Sequence, residues 1–139
     1  MPRRSKSEAL LEFEIVFYER LLRAYPNFVD VLIPLADAYT RRGLYDKGLQ
    51  IDLRLAQLRP HDSLTWYNLA CSYALLKRIE EAVGALRRAF ESGYTDVAHL
   101  QQDPDLANLR QSPQFRQLLE SFVASLSAAS RPSRQPPAT

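Results

Sequence analysis

Two histidines and one cysteine are the side chains of this 139-residue chain best suited to proton transfer or covalent chemistry. Cys71 could act as a nucleophile if an imidazole held its proton. No spacing forces His61 or His99 next to it, and it falls inside a helical stretch, where cysteine behaves as a small hydrophobe. His61 follows Pro60 in a turn and reads as a solvated loop residue. His99 stands near Asp96 and Asp103, and one imidazole with two carboxylates on a loop is a sparse metal-ligand set. Glu80 and Glu81 open a helix, where acidic side chains complement the dipole. Arg87 and Arg88 read as a solvated face. The 4 glycines are scattered, so there is no Gly-rich phosphate loop. No catalytic residue, metal site or cofactor is expected, and the chain reads as a non-enzyme.

The elements that carry these residues are helices. Hydrophobic residues make up 46% and charged residues 24%, ordinary values for a soluble globular chain. Most of the 9 prolines lie between periodic stretches or in the tails, which favours helices joined by short turns. Net charge is +2, yet Arg3, Arg4, Lys6, Arg131 and Arg134 all sit in the ends. Without those five, residues 7–130 hold 13 basic against 16 acidic side chains. A nucleic-acid domain concentrates basic residues on one folded face, so no nucleic-acid partner is expected. A lone cysteine permits no internal disulfide and suits a reducing compartment. Glu12 and Glu14 cut the apolar run after the basic N-terminus, which therefore reads poorly as a signal peptide. No stretch reaches the roughly 18 uninterrupted apolar residues of a membrane span. A cytoplasmic protein without membrane contact is expected.

Along the chain, residues 1–6 read as a disordered arm and 127–139 as a disordered tail, with a helical domain over 7–126. Leu11, Ile15, Tyr18, Leu22 and Tyr25 recur at helical spacing, and Pro26 ends that helix. Asn27 or Asp30 could cap the next helix, which runs to Arg42 and must begin at Asp30 or kink at Pro34. Helices follow over 45–58, 63–76 and 79–92, then two short pieces over 96–101 and 103–110. Ser112 and Pro113 open the last helix as side-chain cap and first-turn proline.

Sliding the chain over itself by 34 residues brings Leu35 onto Leu69, Ala36 onto Ala70, Tyr39 onto Tyr73, Leu49 onto Val83 and Pro26 onto Pro60. A fixed period of this length signals one helical-hairpin unit copied along the chain. The block over 63–94, with Trp66, Leu69, Ala70 and Tyr73 followed by Ala82 and Ala89, resembles the tetratricopeptide repeat, TPR. The block at 29–60 carries Leu32, Leu35, Ala36, Tyr39, Gly48 and Pro60 in the same register, but Asp52 stands opposite Leu86 and Leu55 opposite Ala89. Residues 7–26 fit as the second helix of a truncated repeat. Gly93 through Phe115 looks like the closing segment of some bacterial members. The resemblance implies an all-α fold: a right-handed stack of antiparallel helix pairs, a TPR-like α-solenoid. It would hold a half repeat, two full repeats over about 29–62 and 63–96, and C-terminal capping helices over about 97–126.

Such proteins bind others, so a protein–protein interaction module, a scaffold or adaptor, is expected. In this family the first helices of each pair line the concave groove, which puts Ile33, Asp37 and Arg41 beside Tyr67, Asn68 and Cys71 as candidate partner-binding residues. The competing expectation is that residues 95–126 fold back and cover Leu64, Cys71 and Leu75. Some members grip a partner's C-terminal carboxylate with Lys, Asn and Arg; Asn68 matches one such position, but Asp30, Pro34 and Leu64 occupy the others. Capture of chaperone tails is therefore disfavoured. Glu14 aligns with the close-contact residues Gly48 and Ala82, but the helix that would bury it is missing, so partial exposure is expected. The wide apolar arc of the first helix offers Phe13 and Phe17 as a possible homodimer face.

Overall fold

A computed structural model describes residues 5–129. Every regular element among them is helical: α1 (Lys6–Ala24), α2 (Val29–Arg41), α3 (Tyr45–Leu58), α4 (Ser63–Leu75), α5 (Ile79–Glu91), α6 (Val97–Gln102), a 3-10 turn (Pro104–Leu106), α7 (Ala107–Arg110) and α8 (Pro113–Ala129). The architecture is an all-helical α-solenoid of adjacent pairs, α2 with α3 and α4 with α5, preceded by the single helix α1 and closed by short helices.

The two ends differ from expectation by a few residues. The Ser5 hydroxyl accepts from the Glu8 amide, and the Glu8 carboxylate accepts from the Ser5 amide. This reciprocal cap orders Ser5 and Lys6, both expected in a loose arm. At the other end α8 continues through Ser127 to Ala129. The remainder of the expected arm and tail, residues 1–4 and 130–139, lies outside the described residues.

Periodicity shows in burial. Leu35 and Leu69, Ala36 and Ala70, Leu49 and Val83 are buried pairs one period apart. Gly48 and Ala82 are small because the helices approach closely there: a Cβ on Gly48 would lie 3.2 Å from Thr40 Oγ1. Leu32 and Trp66 break the symmetry. Leu32 is fully buried, whereas Trp66 is half-buried, with Nε1 donating to the Pro60 carbonyl at 2.8 Å and Arg88 over its ring. One core runs from α3 to α8 through Leu86, Leu100, Leu106 and Leu109, all fully buried. A smaller one joins Ile15 of α1 to Leu35, Ala38 and Tyr39 of α2.

The helix ends repeat too. Leu44 N–H returns to Tyr39 O, Arg78 N–H to Tyr73 O and Tyr94 N–H to Ala89 O, each across a left-handed residue. Gly43 (φ 82°) and Gly93 (φ 107°) suit that conformation, while Lys77 (φ 60°) adopts it against the preference of its side chain. Helix starts follow the sequence less closely. Neither Asn27 nor Asp30 caps α2, whose cap residue Phe28 makes no side-chain bond, and Pro34 lies inside the helix. Ser112 does cap α8, its Oγ accepting from Phe115 N–H at 3.1 Å.

Candidate functional site

Helices α2 and α4 and the segment from Tyr94 to Asp105 enclose a groove of about 460 Å³. Helix α2 contributes Ile33, Ala36, Asp37 and Thr40, and α4 contributes Leu64, Tyr67, Asn68, Cys71 and Leu75. Asp52 of α3 stands in the wall. The first helices of both pairs therefore line one cavity.

The candidate partner-binding residues separate into two sets, and Arg41 alone among them does not line the groove. Ile33, Asp37, Arg41 and Asn68 are exposed. Tyr67 and Cys71, expected on the exposed face, are buried, at 3% and 7% exposure. They form the floor because the capping segment folds over them. The Tyr67 ring stacks on Tyr94 with centroids 4.5 Å apart. Its hydroxyl donates to Asp103 Oδ2 at 2.5 Å, and Cys71 Sγ lies 3.8 Å from the same oxygen. Asn108 Nδ2 donates to the Ala74 carbonyl. The cover is partial: Leu64 stays 55% exposed and Leu75 half-buried. Tyr94 and Asp103 were missed as groove residues because they meet α4 only after the chain reverses at Gly93, beyond the reach of helical periodicity.

Polar groups on the floor are held in fixed states. Burial pushes the Tyr67 hydroxyl far above its ordinary value, and the bond to Asp103 adds to this. Burial likewise raises the Cys71 thiol well above its ordinary value, with the charges of Asp103 and Asp105 acting in the same direction. A thiol kept protonated is a poor nucleophile. Cys71, Asp103 and Asp105 could bring three ligand atoms within 4.8 Å of one another. Asp103, however, already accepts from Tyr67 and from the Asp105 amide, and His99 Nε2 lies 3.3 Å from its Oδ2. These contacts make Asp103 a brace between α4, α6 and the turn that follows.

Arg41 stands between two acids, 2.8 Å from Asp37 Oδ2 and 3.2 Å from Glu14 Oε2. Glu14 keeps 41% of its side chain exposed, as expected for a half repeat. Asp52 is the buried polar residue of the first pair, 4% exposed, accepting from Ser72 Oγ. Burial raises its carboxyl from 3.8 to about 6, and the Ser72 bond opposes that shift. On α1, Leu10 (63%), Phe13 (68%) and Phe17 (49%) are exposed, the two phenylalanine rings stacked at 6.3 Å.

No helix among the described residues is long and apolar enough to cross a membrane. No family model matches the chain. It is 33% identical over 87 residues to a chloroplastic protein of Arabidopsis thaliana, an alignment covering 60% of this chain. The chain spans only 26% of that relative's length. Among solved structures it is similar to the crystal structure of MamA, a TPR-type protein, with a TM-score of 0.66 at 20% identity, over 86% of this chain and 70% of that one. With two helix pairs in a 34-residue register and this neighbour, the fold is that of a TPR-like protein.

Proposed function

We propose that the chain is a non-enzymatic adaptor that takes a segment of a partner protein into the groove between α2, α4 and the capping segment. One observation carries this: a formed cavity of about 460 Å³ with Ile33 and Leu64 left 46% and 55% exposed at its mouth. Large apolar side chains beside fixed polar neighbours suit an interface, and Asp37 and Asn68 supply the polar part of the lining, with Arg41 held against Asp37 beside the rim. The protonated Cys71 thiol supports a binding role over a catalytic one. We place the adaptor in a bacterial cytoplasm, on the resemblance of the capping segment and the lone buried thiol. A photo-crosslinking residue at position 64 or 33 should form a covalent adduct with a partner in cells, identifiable by mass spectrometry. The same probe at Arg87, on the exposed side of α5, should not. Equal yields at all three positions would remove the groove.

A second reading is self-association through α1, favoured by its exposed Leu10, Phe13, Val16 and Phe17. Exposed apolar patches of this kind mark interaction sites. Light scattering should then give a concentration-dependent dimer that Phe13→Ser with Phe17→Ser turns into a monomer. A monomer at every concentration in the unaltered chain would end that reading.

A further inference from the structure

Apart from His99, every ionisable side chain that lines the groove, the Tyr and Cys floor aside, is acidic. Asp37 enters from α2, Asp52 from the wall, and Asp96, Asp103 and Asp105 from the capping segment. Among the described residues no lysine or arginine lines it; Arg41, beside the rim, is already held by Asp37 and Glu14. The net charge of the whole chain is nevertheless +2, so this concentration is local. Its acids are not equally occupied. Asp103 is taken up by Tyr67, His99 and the Asp105 amide, and Asp96 accepts from the His99 amide. The Asp105 carboxylate has no donor against it among the described residues, and burial, then the charges of Asp103 and Asp37, raise it above its ordinary value.

A second, uncharged feature points the same way. The Tyr94 hydroxyl is buried in the groove lining without a hydrogen-bond partner among the described residues, on a side chain only 8% exposed. The Tyr67 hydroxyl is close enough to offset part of the burial that raises Tyr94, but does not meet hydrogen-bond geometry with it. That oxygen has almost no surface open to the groove, so an occupant reaches it only if the side chain turns outward, where it would accept from a donor. The mouth adds apolar surface on Ile33 and Leu64. Lysine and arginine combine what these two surfaces ask for, an apolar stem and a cationic head.

We propose that the occupant is a basic segment of a partner protein, carrying at least two Lys or Arg side chains. Their stems lie along Ile33 and Leu64, and their heads face Asp37, Asp96 and Asp105. This rests on the groove reading above and fixes the sign of its partner, opposite to that of a carboxylate-terminated tail.

The test is fluorescence anisotropy with three labelled twelve-residue peptides on the full chain. All share the same leucines; the other positions hold Lys and Arg, Ser, or Glu. The basic peptide binds, and raising NaCl from 50 to 500 mM weakens it about tenfold or more, because the screening length falls from ~14 to ~4 Å over this range. Asp37→Asn with Asp105→Asn weakens it about tenfold, while Glu80→Gln with Glu81→Gln, at the exposed start of α5, leaves it unchanged. Arg41→Gln releases Asp37 from its internal partner and tightens binding severalfold, a gain that no unfolded variant can mimic. Equal capture of the Ser or Glu peptide overturns the assignment, as does indifference to Asp37 and Asp105 or an equal loss from the α5 changes. Basic-peptide binding that appears only after deletion of residues 130–139 gives the groove to the chain's own Arg131 and Arg134 and overturns the partner assignment. If no peptide binds while position 64 still crosslinks, the basic occupant is wrong and the groove reading survives. If crosslinking fails as well, both fall.

Discussion

Asp52 makes the stability of this chain depend on pH in a direction opposite to that of most carboxylates. Its carboxyl is 4% exposed and its pKa moves from 3.8 to about 6. The folded chain thus holds this proton more tightly than the unfolded chain does. Below the unfolded value both states are protonated and Asp52 has no electrostatic cost. As pH rises from about 4 the unfolded state ionises first, so stability falls, and the loss is complete above pH 6. A rise of this size corresponds to about 3 kcal/mol. Asp52→Asn keeps an acceptor for Ser72 Oγ and cannot ionise. Urea unfolding at pH 7.5 should find the variant more stable by up to about 3 kcal/mol, an advantage shrinking toward zero near pH 4. Asp105, whose carboxyl is also raised, is present in both chains and cancels from the difference. A difference between variant and wild type that stays flat from pH 4 to 7.5 would refute the buried-carboxylate argument.

Lys77→Gly should raise stability by about 1 kcal/mol, because Lys77 occupies the left-handed turn position that Gly43 fills one period earlier; thermal melting reads this directly. Gly48→Val should cost about 1–3 kcal/mol by forcing branched carbons against Thr40 and Ala36. Gly84→Ala, with nothing within 4 Å of the new carbon, should gain up to about 1 kcal/mol, and the two chemical-denaturation midpoints should move in opposite directions. Tyr67→Phe leaves the buried Asp103 oxygen short of a donor at a cost of about 1–3 kcal/mol. Hydrogen exchange should then speed up in 97–110 before it does in α2.

The helical hairpins were legible because a duplicated hydrophobic register leaves the same imprint twice. Leu35 with Leu69 and Gly48 with Ala82 mark identical depths in successive pairs. The breaks in that register were legible only as oddities. Asp52 was visible as a departure from Leu86, but its bond to Ser72 depends on how α3 meets α4, which no single-helix pattern encodes. Helix starts were read poorly for the opposite reason. Asn27 and Asp30 have the right chemistry for capping, yet the apolar packing of Val31 and Leu32 starts α2 at Val29 without them. The candidate site was half legible. Ile33, Asp37 and Arg41 are exposed on the face that periodicity assigned to them, and Asn68 is exposed beside the equivalent face of α4. Tyr67 and Cys71 share that face, but their burial was decided by the capping segment, whose return path depends on a few residues around Gly93 and Asp103.

Asp103 ties more of the molecule together than its size suggests. One carboxylate accepts from Tyr67 and from the amide of Asp105, with His99 Nε2 3.3 Å away, and the same residue's carbonyl accepts from Arg110 at 2.6 Å. A pull on any of these groups is felt by the rest. Removing the Asp103 side chain would therefore loosen the hold of α4 on the turn on which α7 stands, at a distance from the substituted residue.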